Sequence, residues 1–473
     1  VIGDPSPRRL AAQLLLILDR DADRLERIDN YMQGRHDDPY MPENSDDEYK
    51  LLAKRAISNW MPLLVKTPTQ ALYVDSFRHG DKAPSGKSPS WKHWQRSRLT
   101  ARQIPVHRGA LTYGHSFTVT EKTPRGVKTR GLSAMRTAAL FEDPANDETP
   151  HAALTVTRKP ADGSPGKATL WDGTHEYAVA FSSYTDPKSI RVEKGMRHGA
   201  SECPVTRFVA YVDLEGRTVG VVEPMIPVQN RIGQTIFDLL VAQTYGSTKA
   251  RWATGMAPPL KRDPETGEPI LNEDGNPIPL PMNYNAKRFL FAEDETTKFG
   301  SFDETPLDGF ISSVDMSIRH LSAISQTPPH HLLGQIANLS AEALLAAETA
   351  LSRMVEEFRT SFGESWERVD RLAAELNNES LDDYEVEVIW RDMELKSLAQ
   401  SADGLGKLAE LLGIPKRGLW ARVPGARQSE LDEWERLYEE ENADLAISQA
   451  LRRSSPDRAV DIPATPDAEA TPS

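Results

Sequence analysis

Hydrophobic and polar positions change their period several times along the chain. In residues 8–30, Leu10, Leu14, Ile17, Leu18, Leu25 and Ile28 recur at helical spacing, which predicts an amphipathic helix. A turn follows at Tyr31-Met32-Gln33-Gly34-Arg35-His36, then an acidic, proline-broken loop to Asp47. Residues 48–60 read as a second helix. Pro62 and Pro68 read as punctuation of the apolar stretch Leu63-Leu64-Val65. From residue 105 to 225 the pattern becomes that of strands. Residues 111–120, 154–157, 177–181 and 205–212 are rich in β-branched and aromatic side chains. Asp143-Pro144, Asp162-Gly163, Pro165-Gly166 and Asp172-Gly173 separate them. Glu215-Gly216 is placed to turn a hairpin into residues 218–222.

Helical spacing returns after Pro227, with Ile232, Ile236, Leu239 and Leu240 on one face. Seven prolines between Pro258 and Pro281 exclude a helix there. That segment predicts an extended excursion with hairpins at Pro264-Glu265-Thr266-Gly267 and Asp274-Gly275-Asn276-Pro277, closed by a strand near residues 288–291. Residues 306–325 predict a helix with Phe310, Ile311, Val314, Ile318, Leu321 and Ile324 as its stripe, stopped by Pro328-Pro329. The strongest pattern starts near Ser340. There Leu344, Leu351, Val355, Phe358, Phe362, Trp366, Val369, Leu372 and Leu376 step by three, four and seven. The predicted helix is roughly 55 Å long and needs a long partner surface, in its own chain or a neighbour. Val386, Val388 and Trp390 alternate as a strand. Shorter helices follow, the last opened by the capping box Ser429-Glu430-Leu431-Asp432 and running to Arg453. Residues 454–473, proline-rich and without aromatics, are expected to be disordered. The expected class is α+β.

With 473 residues, the chain is long enough for a large core and more than one domain. Its 39 % apolar and 27 % charged content excludes collagen-like and wholly disordered classes. No apolar run approaches the roughly 18 residues of a membrane span. Leu10 to Leu18 follows Arg8-Arg9 as in a signal peptide, but Asp19, Arg20 and Asp21 stand where a cleavage site would. It reads as an amphipathic helix of a cytoplasmic protein. Cys203 is the only cysteine, so no intramolecular disulfide can form, and it reads as a buried, inert thiol. Charge is uneven. Residues 341–473 carry 15 Lys+Arg against 29 Asp+Glu, which accounts for the whole net charge of −14. Residues 78–136 instead carry 13 basic groups against Asp81 and Glu121. A simple DNA-binding protein would be basic overall.

The motifs of catalysis are missing. Gly163-Ser164-Pro165-Gly166-Lys167 has the residue types of a phosphate loop but the wrong spacing. No Gly-x-Ser-x-Gly or His-Glu-x-x-His occurs. His330-His331 is the one adjacent histidine pair, and a metal there would need further ligands. Acid pairs such as Glu356-Glu357, Asp382-Asp383 and Glu439-Glu440 read as solvated faces. The result is a shape without a catalytic site, suited to an assembly protein whose helices pack between subunits.

Four stretches, in order, resemble bacteriophage portal proteins of tailed actinobacterial phages. The turn at Tyr31–His36 resembles the family's Tyr-x-Gly-x-His, with one extra residue. Gly109-Ala110-Leu111-Thr112-Tyr113-Gly114-His115-Ser116-Phe117 resembles its Ala-x-x-Tyr-Gly strand opening. Pro227-Val228-Gln229-Asn230 through Leu239-Leu240, ending Arg251-Trp252-Ala253-Thr254-Gly255, is the third. The most specific is Thr327-Pro328-Pro329-His330-His331-Leu332-Leu333-Gly334, then Asn338-Leu339-Ser340-Ala341-Glu342-Ala343-Leu344.

The resemblance implies a homo-oligomeric ring, expected as a dodecamer, at one capsid vertex. Double-stranded DNA would pass through it without sequence specificity during packaging and ejection. Its implied partners are the major capsid protein, the terminase large subunit, head–tail connector or adaptor proteins and a scaffold protein. The chain would belong to the virion after assembly in the host cytoplasm, with no catalysis, cofactor, metal or membrane. The implied portal fold has a wing (1–226), a first stem helix (227–248), a small β/extended clip (249–305), a second stem helix (306–326) and a tunnel loop (327–340). A long helix with the C-terminal part of the wing (341–394), a helical crown (395–453) and a disordered tail (454–473) complete it. The implied DNA-facing residues of the tunnel loop are His330, His331, Gln335 and Asn338; Arg319 and His320 would face the stem channel. Lys261, Arg262, Arg288 and Lys298 would serve the clip interface, and the basic stretch 78–136 would face capsid or scaffold. The alternatives are a minor capsid or adaptor protein without a DNA channel, and a nucleic-acid hydrolase with an unrecognised carboxylate site.

Overall fold

The N-terminal amphipathic pattern becomes α1 (Pro7–Met32), a helix that serves two cores. In the computed structural model, residues 6–43, 47–79, 88–161, 163–246, 251–254, 260–272, 275–278, 298–301, 305–334, 341–379, 386–391, 398–423, 426 and 428–454 are described. Two short helices follow, α2 (Asp47–Arg55) and α3 (Met61–Ala71). The expected helix over 48–60 therefore stops early, and the proline-punctuated stretch is itself helical. Pro62 stands in the first turn of α3, where the missing N–H costs nothing. Pro68 leaves a gap in the ladder, while the Thr69 hydroxyl donates to Val65 O at 2.5 Å.

Strand β1 (Val74–His79) leads to α4 (Pro89–Arg96), α5 (Leu99–Tyr113) and the hairpin β2 (His115–Thr123) and β3 (Gly126–Leu132). The strand expected over 111–120 thus begins only at His115, because α5 runs on to Tyr113 and ends at Gly114, whose φ is +92°. A Cβ at Gly114 would lie 2.9 Å from the Thr218 carbonyl, so the close backbone approach there requires glycine.

A meander supplies β4 (Thr137–Leu140), β5 (Ala152–Arg158), β6 (Gly166–Trp171), β7 (His175–Phe181), β8 (Arg191–Val192) and β9 (Met196–Arg197). These form one antiparallel sheet in the order β4-β5-β6-β7-β8, with β9 also on β7. Gly166 and Lys167 open β6 rather than cradling a phosphate. β10 (Val205–Val209) adds to the hairpin in the order β10-β2-β3. β11 (Tyr211–Val212) and β12 (Thr218–Val219) form the expected hairpin around Gly216.

The chain then enters α6 (Ile226–Gly246), β13 (Arg251–Thr254) and β14 (Lys298–Ser301), which pair antiparallel. Between them, Arg262 bridges Pro269 and Leu271 bridges Pro277, as the turn signatures predict. The strand expected at 288–291 lies outside the described residues. α7 (Asp308–Ser325), the short α8 (Pro329–Leu333) and the 37-residue α9 (Ala341–Asn377) follow. β15 (Val386–Trp390) returns to pair with β1. α10 (Leu398–Leu411), α11 (Lys416–Leu419) and α12 (Gln428–Ser454) complete the chain. α12 begins just before the expected capping box; residues 455–473 lie outside the described residues.

The long helix finds its partner surface within the chain. Phe358, Phe362, Trp366 and Val369 are buried against Trp94, Val106 and Phe208. The Trp366 ring meets Trp94 at 4.9 Å and Phe208 at 4.6 Å, both edge to face. The first half of α1 buries Leu10, Leu14, Leu15 and Leu18 on Leu154, Leu170, Val179 and Phe181 of the meander sheet. Its second half puts Ile28 and Tyr31 into the α9 core. Cys203 is buried beside Trp171 and Val205, and burial pushes its thiol up to about 12, so it is inert as expected. Among the described residues no helix is long and apolar enough to cross a membrane.

Candidate functional site

The four motifs, distant in sequence, meet at the root of the α6/α7 pair. Gln229 of α6 is fully buried. Its Oε1 accepts from the Trp60 amide (3.1 Å), and its Nε2 donates to Ser58 O (2.8 Å). The next residue, Asn230, accepts the Tyr31 hydroxyl at 2.6 Å. Asn59 Nδ2 donates to Tyr31 O at 2.9 Å, and the Tyr31 ring stacks on His36 with centroids 4.9 Å apart. The Tyr31–His36 turn, closed by Gly34 at φ +76°, is thus a bracket for α6. From the second motif, Tyr113 donates its hydroxyl to Asp29 Oδ1 at 2.8 Å; burial and the Asp29 charge raise its pKa. From the fourth, Leu332 O accepts the Trp60 indole N–H at 3.4 Å, and buried Ser322 donates to Thr327 O at 2.6 Å. Tyr31→Phe keeps the ring stack but removes the donor to Asn230 Oδ1 and the acceptor of the Asp37 amide. It is expected to destabilise the chain by about 1–1.5 kcal/mol, read as a lowered thermal midpoint, whereas an unchanged midpoint would remove this bracket.

The residues expected to face a channel divide into three groups. Arg319 and His320 are exposed on α7, and Arg231 Nη2 of α6 donates to His320 Nδ1 at 3.2 Å. His330 and His331 lie on α8, while Gln335 and Asn338 lie outside the described residues. Lys261 and Arg262 are exposed on the proline-rich hairpin, where Arg262 donates to Gly267 O at 2.9 Å. Lys298 is exposed on β14. Arg288 lies outside the described residues. Among the described contacts none joins Lys298 to Lys261 or Arg262. Arg96, Arg98 and Arg102 of the basic stretch are all exposed.

Two charged groups that the sequence pattern hides are buried on α9. Arg368 spreads its guanidinium over Val205 O, Thr206 Oγ1, Cys203 O and Glu202 Oε1, at 2.8–2.9 Å. Asp370 accepts from Ser90 Oγ at 2.6 Å, and Ser90 Oγ also lies 2.9 Å from His79 Nε2. Ser, His and Asp are therefore adjacent, but the hydroxyl sits in the middle. A nucleophilic relay needs the imidazole between the hydroxyl and the carboxylate. Ser90 is also 2 % exposed. The cluster ties α4, β1 and α9 together.

The phage portal protein family of the SPP1 Gp6-like type matches residues 12–444. The portal protein of Mycobacterium phage D29 is 26 % identical over 401 residues, covering 80 % of this chain and 78 % of that protein. The portal protein of Mycobacterium phage L5 is 30 % identical over 190 residues, 39 % of this chain and 38 % of that protein. A chain in the solved virion of a native gene transfer agent (GTA) particle is more distant, with 11 % identity and a TM-score of 0.42 over 85 % of this chain and 100 % of that one. The family match runs from α1 into α12 and takes in all four motifs that meet at the α6 root, so the chain belongs to the SPP1 Gp6-like family of phage portal proteins.

Proposed function

We propose that the chain assembles as a ring, a dodecamer, at one vertex of a phage capsid and conducts double-stranded DNA during packaging and ejection. The observation that carries this reading is the family match across nearly the whole chain, residues 12–444. In this reading residues 1–226 are the wing, and α6 and α7 are the stem helices. The segment 249–305 is the clip, 327–340 the tunnel loop and 395–453 the crown. The terminase motor and head–tail connectors dock on the clip. The wing meets the major capsid protein and scaffold, with Arg96, Arg98 and Arg102 on its basic surface. The chain enters the virion after assembly in the host cytoplasm, and no chemical step is assigned to it.

The charge distribution supports this reading. A conduit must not grip its cargo, because every neutralised phosphate tightens binding through counterion release. The acidic excess after residue 340 avoids that grip, and ring symmetry multiplies each remaining cation. One Arg319, His320 or His331 per chain becomes a circle of donors along the path. Lys261, Arg262, Arg288 and Lys298 act at the clip, and His330, Gln335 and Asn338 belong to the tunnel-loop segment.

Light scattering with negative-stain imaging of the same peak tests the assembly. The expected particle is a holed ring of about 630 kDa, twelve copies of the 52.6 kDa chain. A monomer that stays monomeric when mixed with capsid and scaffold would favour a minor capsid or adaptor protein without a channel.

A further inference from the structure

The histidine pair on α8 gains a third partner from the start of the long helix. His330 Nε2 lies 2.8 Å from Glu348 Oε1, and His331 Nε2 lies 2.9 Å from the same oxygen. The two imidazoles sit side by side, ring centroids 4.5 Å apart and tilted by 34°. One ligand atom from each of the three residues falls within 4.8 Å of the others. Adjacent side chains usually diverge, so this convergence is a product of the short helix. Pro329 opens α8 and Gly334, at φ +67°, closes it after a single turn. That turn sets both rings toward α9.

We propose that His330, His331 and Glu348 form a binding site for a divalent transition metal ion of the zinc class. Two imidazoles and one carboxylate are a donor set that suits zinc, with a fourth position left to water. Hard oxygen-seeking cations such as magnesium would be poorly served by two nitrogens. The Nε2 to Oε1 distances are hydrogen-bond distances, in which each ring N–H points at the carboxylate. Binding needs both Nε2 lone pairs, so each Nε2 proton must leave, to Nδ1 or to solvent, and the three ligands open around the ion. Glu348 and His331 are each about one-third exposed in their side chains, leaving a path for the ion, while His330 at 10 % anchors the site.

The consequence is mechanical. α8 and α9 are separate elements, and the segment 334–341 connects them. A metal clip between His330–His331 and Glu348 would fix both ends of that connection and lock the angle at which α9 leaves α8. The inference stands on the side-chain geometry and is independent of the ring and of the DNA path.

The full chain titrated with cobalt(II) tests it by visible absorption, with zinc chloride competing the cobalt signal away. One ion per chain is expected, with the intense ligand-field bands of a four-coordinate site. His331→Ala and Glu348→Gln are each expected to weaken binding by about 10-fold or more, with unchanged circular dichroism. Glu348→Gln keeps the volume of the side chain, so a lost signal there cannot be blamed on lost packing. Only weak, octahedral-type cobalt absorption, or binding of equal strength in the wild type and both variants, would overturn the site.

Discussion

Replacing Arg368 with alanine is expected to destabilise the chain by about 2–5 kcal/mol, from lost hydrogen bonds and a cavity. Arg368 is 2 % exposed and lies on the face of α9 that packs against β10. Its guanidinium donates to two main-chain carbonyls, Cys203 O and Val205 O, to the Thr206 hydroxyl, and to the Glu202 carboxylate. Alanine removes all four donors at once. Glu202, at 39 % side-chain exposure, recovers water, but the two carbonyls keep none of these charge-assisted bonds and a cavity opens beside them. The effect is therefore far larger than for exposed pairs such as Lys407–Asp403, where removing the lysine should shift stability little. Arg368→Lys is expected to fall between, because a single ammonium cannot span four acceptors held in a planar fork. Thermal unfolding of Arg368→Ala, Arg368→Lys and Lys407→Ala beside the wild type checks the order. If Arg368→Ala melts no lower than Lys407→Ala, Arg368 is not the tie between α9 and β10.

Arg368 also shows why part of this fold was legible in the sequence and part was not. The long helix could be read because Phe358, Phe362, Trp366 and Val369 recur at its period, and one apolar face suffices to announce a helix. α5 could not. Its buried residues are Leu99, Gln103, Val106, His107, Ala110, Leu111 and Thr112, and the polar Gln103 and His107 interrupt the apolar helical series. Both are satisfied by long-range partners. Gln103 exchanges bonds with the Val74 main chain, and His107 takes the Trp366 indole N–H at 2.9 Å while its other nitrogen meets Leu72 O. Burial holds His107 neutral, with its pKa lowered to about 3. Those partners are invisible in a one-dimensional pattern, and the β-branched and aromatic residues after Leu111 drew the strand forward. The same limit hid Glu348 from the histidine pair, since 17 positions separate it from His331 and only the packing of α8 on α9 brings them together.

Resemblance in four short motifs did reveal something that periodicity could not. The motifs supply or receive polar and glycine contacts: Tyr31 to Asn230 and Trp60 to Gln229 at the α6 root, Trp60 to Leu332 at α8, Tyr113 to Asp29 on α1, and Gly114 against Thr218 on β12. Apolar packing tolerates many side chains of similar volume. A hydrogen bond between two named groups, or a backbone approach that admits no Cβ, tolerates few. A sequence signature therefore marks such contacts more sharply than it marks apolar packing.

Asp370 carries a large expected dependence on pH. Burial pushes its carboxyl up from the ordinary 3.8 to about 7; the Ser90 hydrogen bond opposes this, Glu379 adds to it and Arg371 subtracts. Between those two values the folded chain holds a proton that the unfolded chain has released. Stability from this group is therefore fully present below pH 4 and is lost as the pH rises toward 7. At about 1.4 kcal/mol per unit, the loss totals roughly 4 kcal/mol. Asp370→Asn presents an uncharged amide of the same shape whose Oδ1 still accepts from Ser90. The variant should match the wild type near pH 4 and exceed its stability at pH 8 by a few kcal/mol, less whatever the second amide proton costs by clashing with Ser90. Denaturant unfolding of both proteins at pH 4.5, 6 and 8 separates the outcomes. Curves that converge at acid pH, separate progressively between pH 4.5 and 7 and stay apart above it place the buried charge at Asp370. Parallel curves would mean that water reaches the carboxylate and that the Ser90–Asp370 tie between α4 and α9 holds as an ion without penalty.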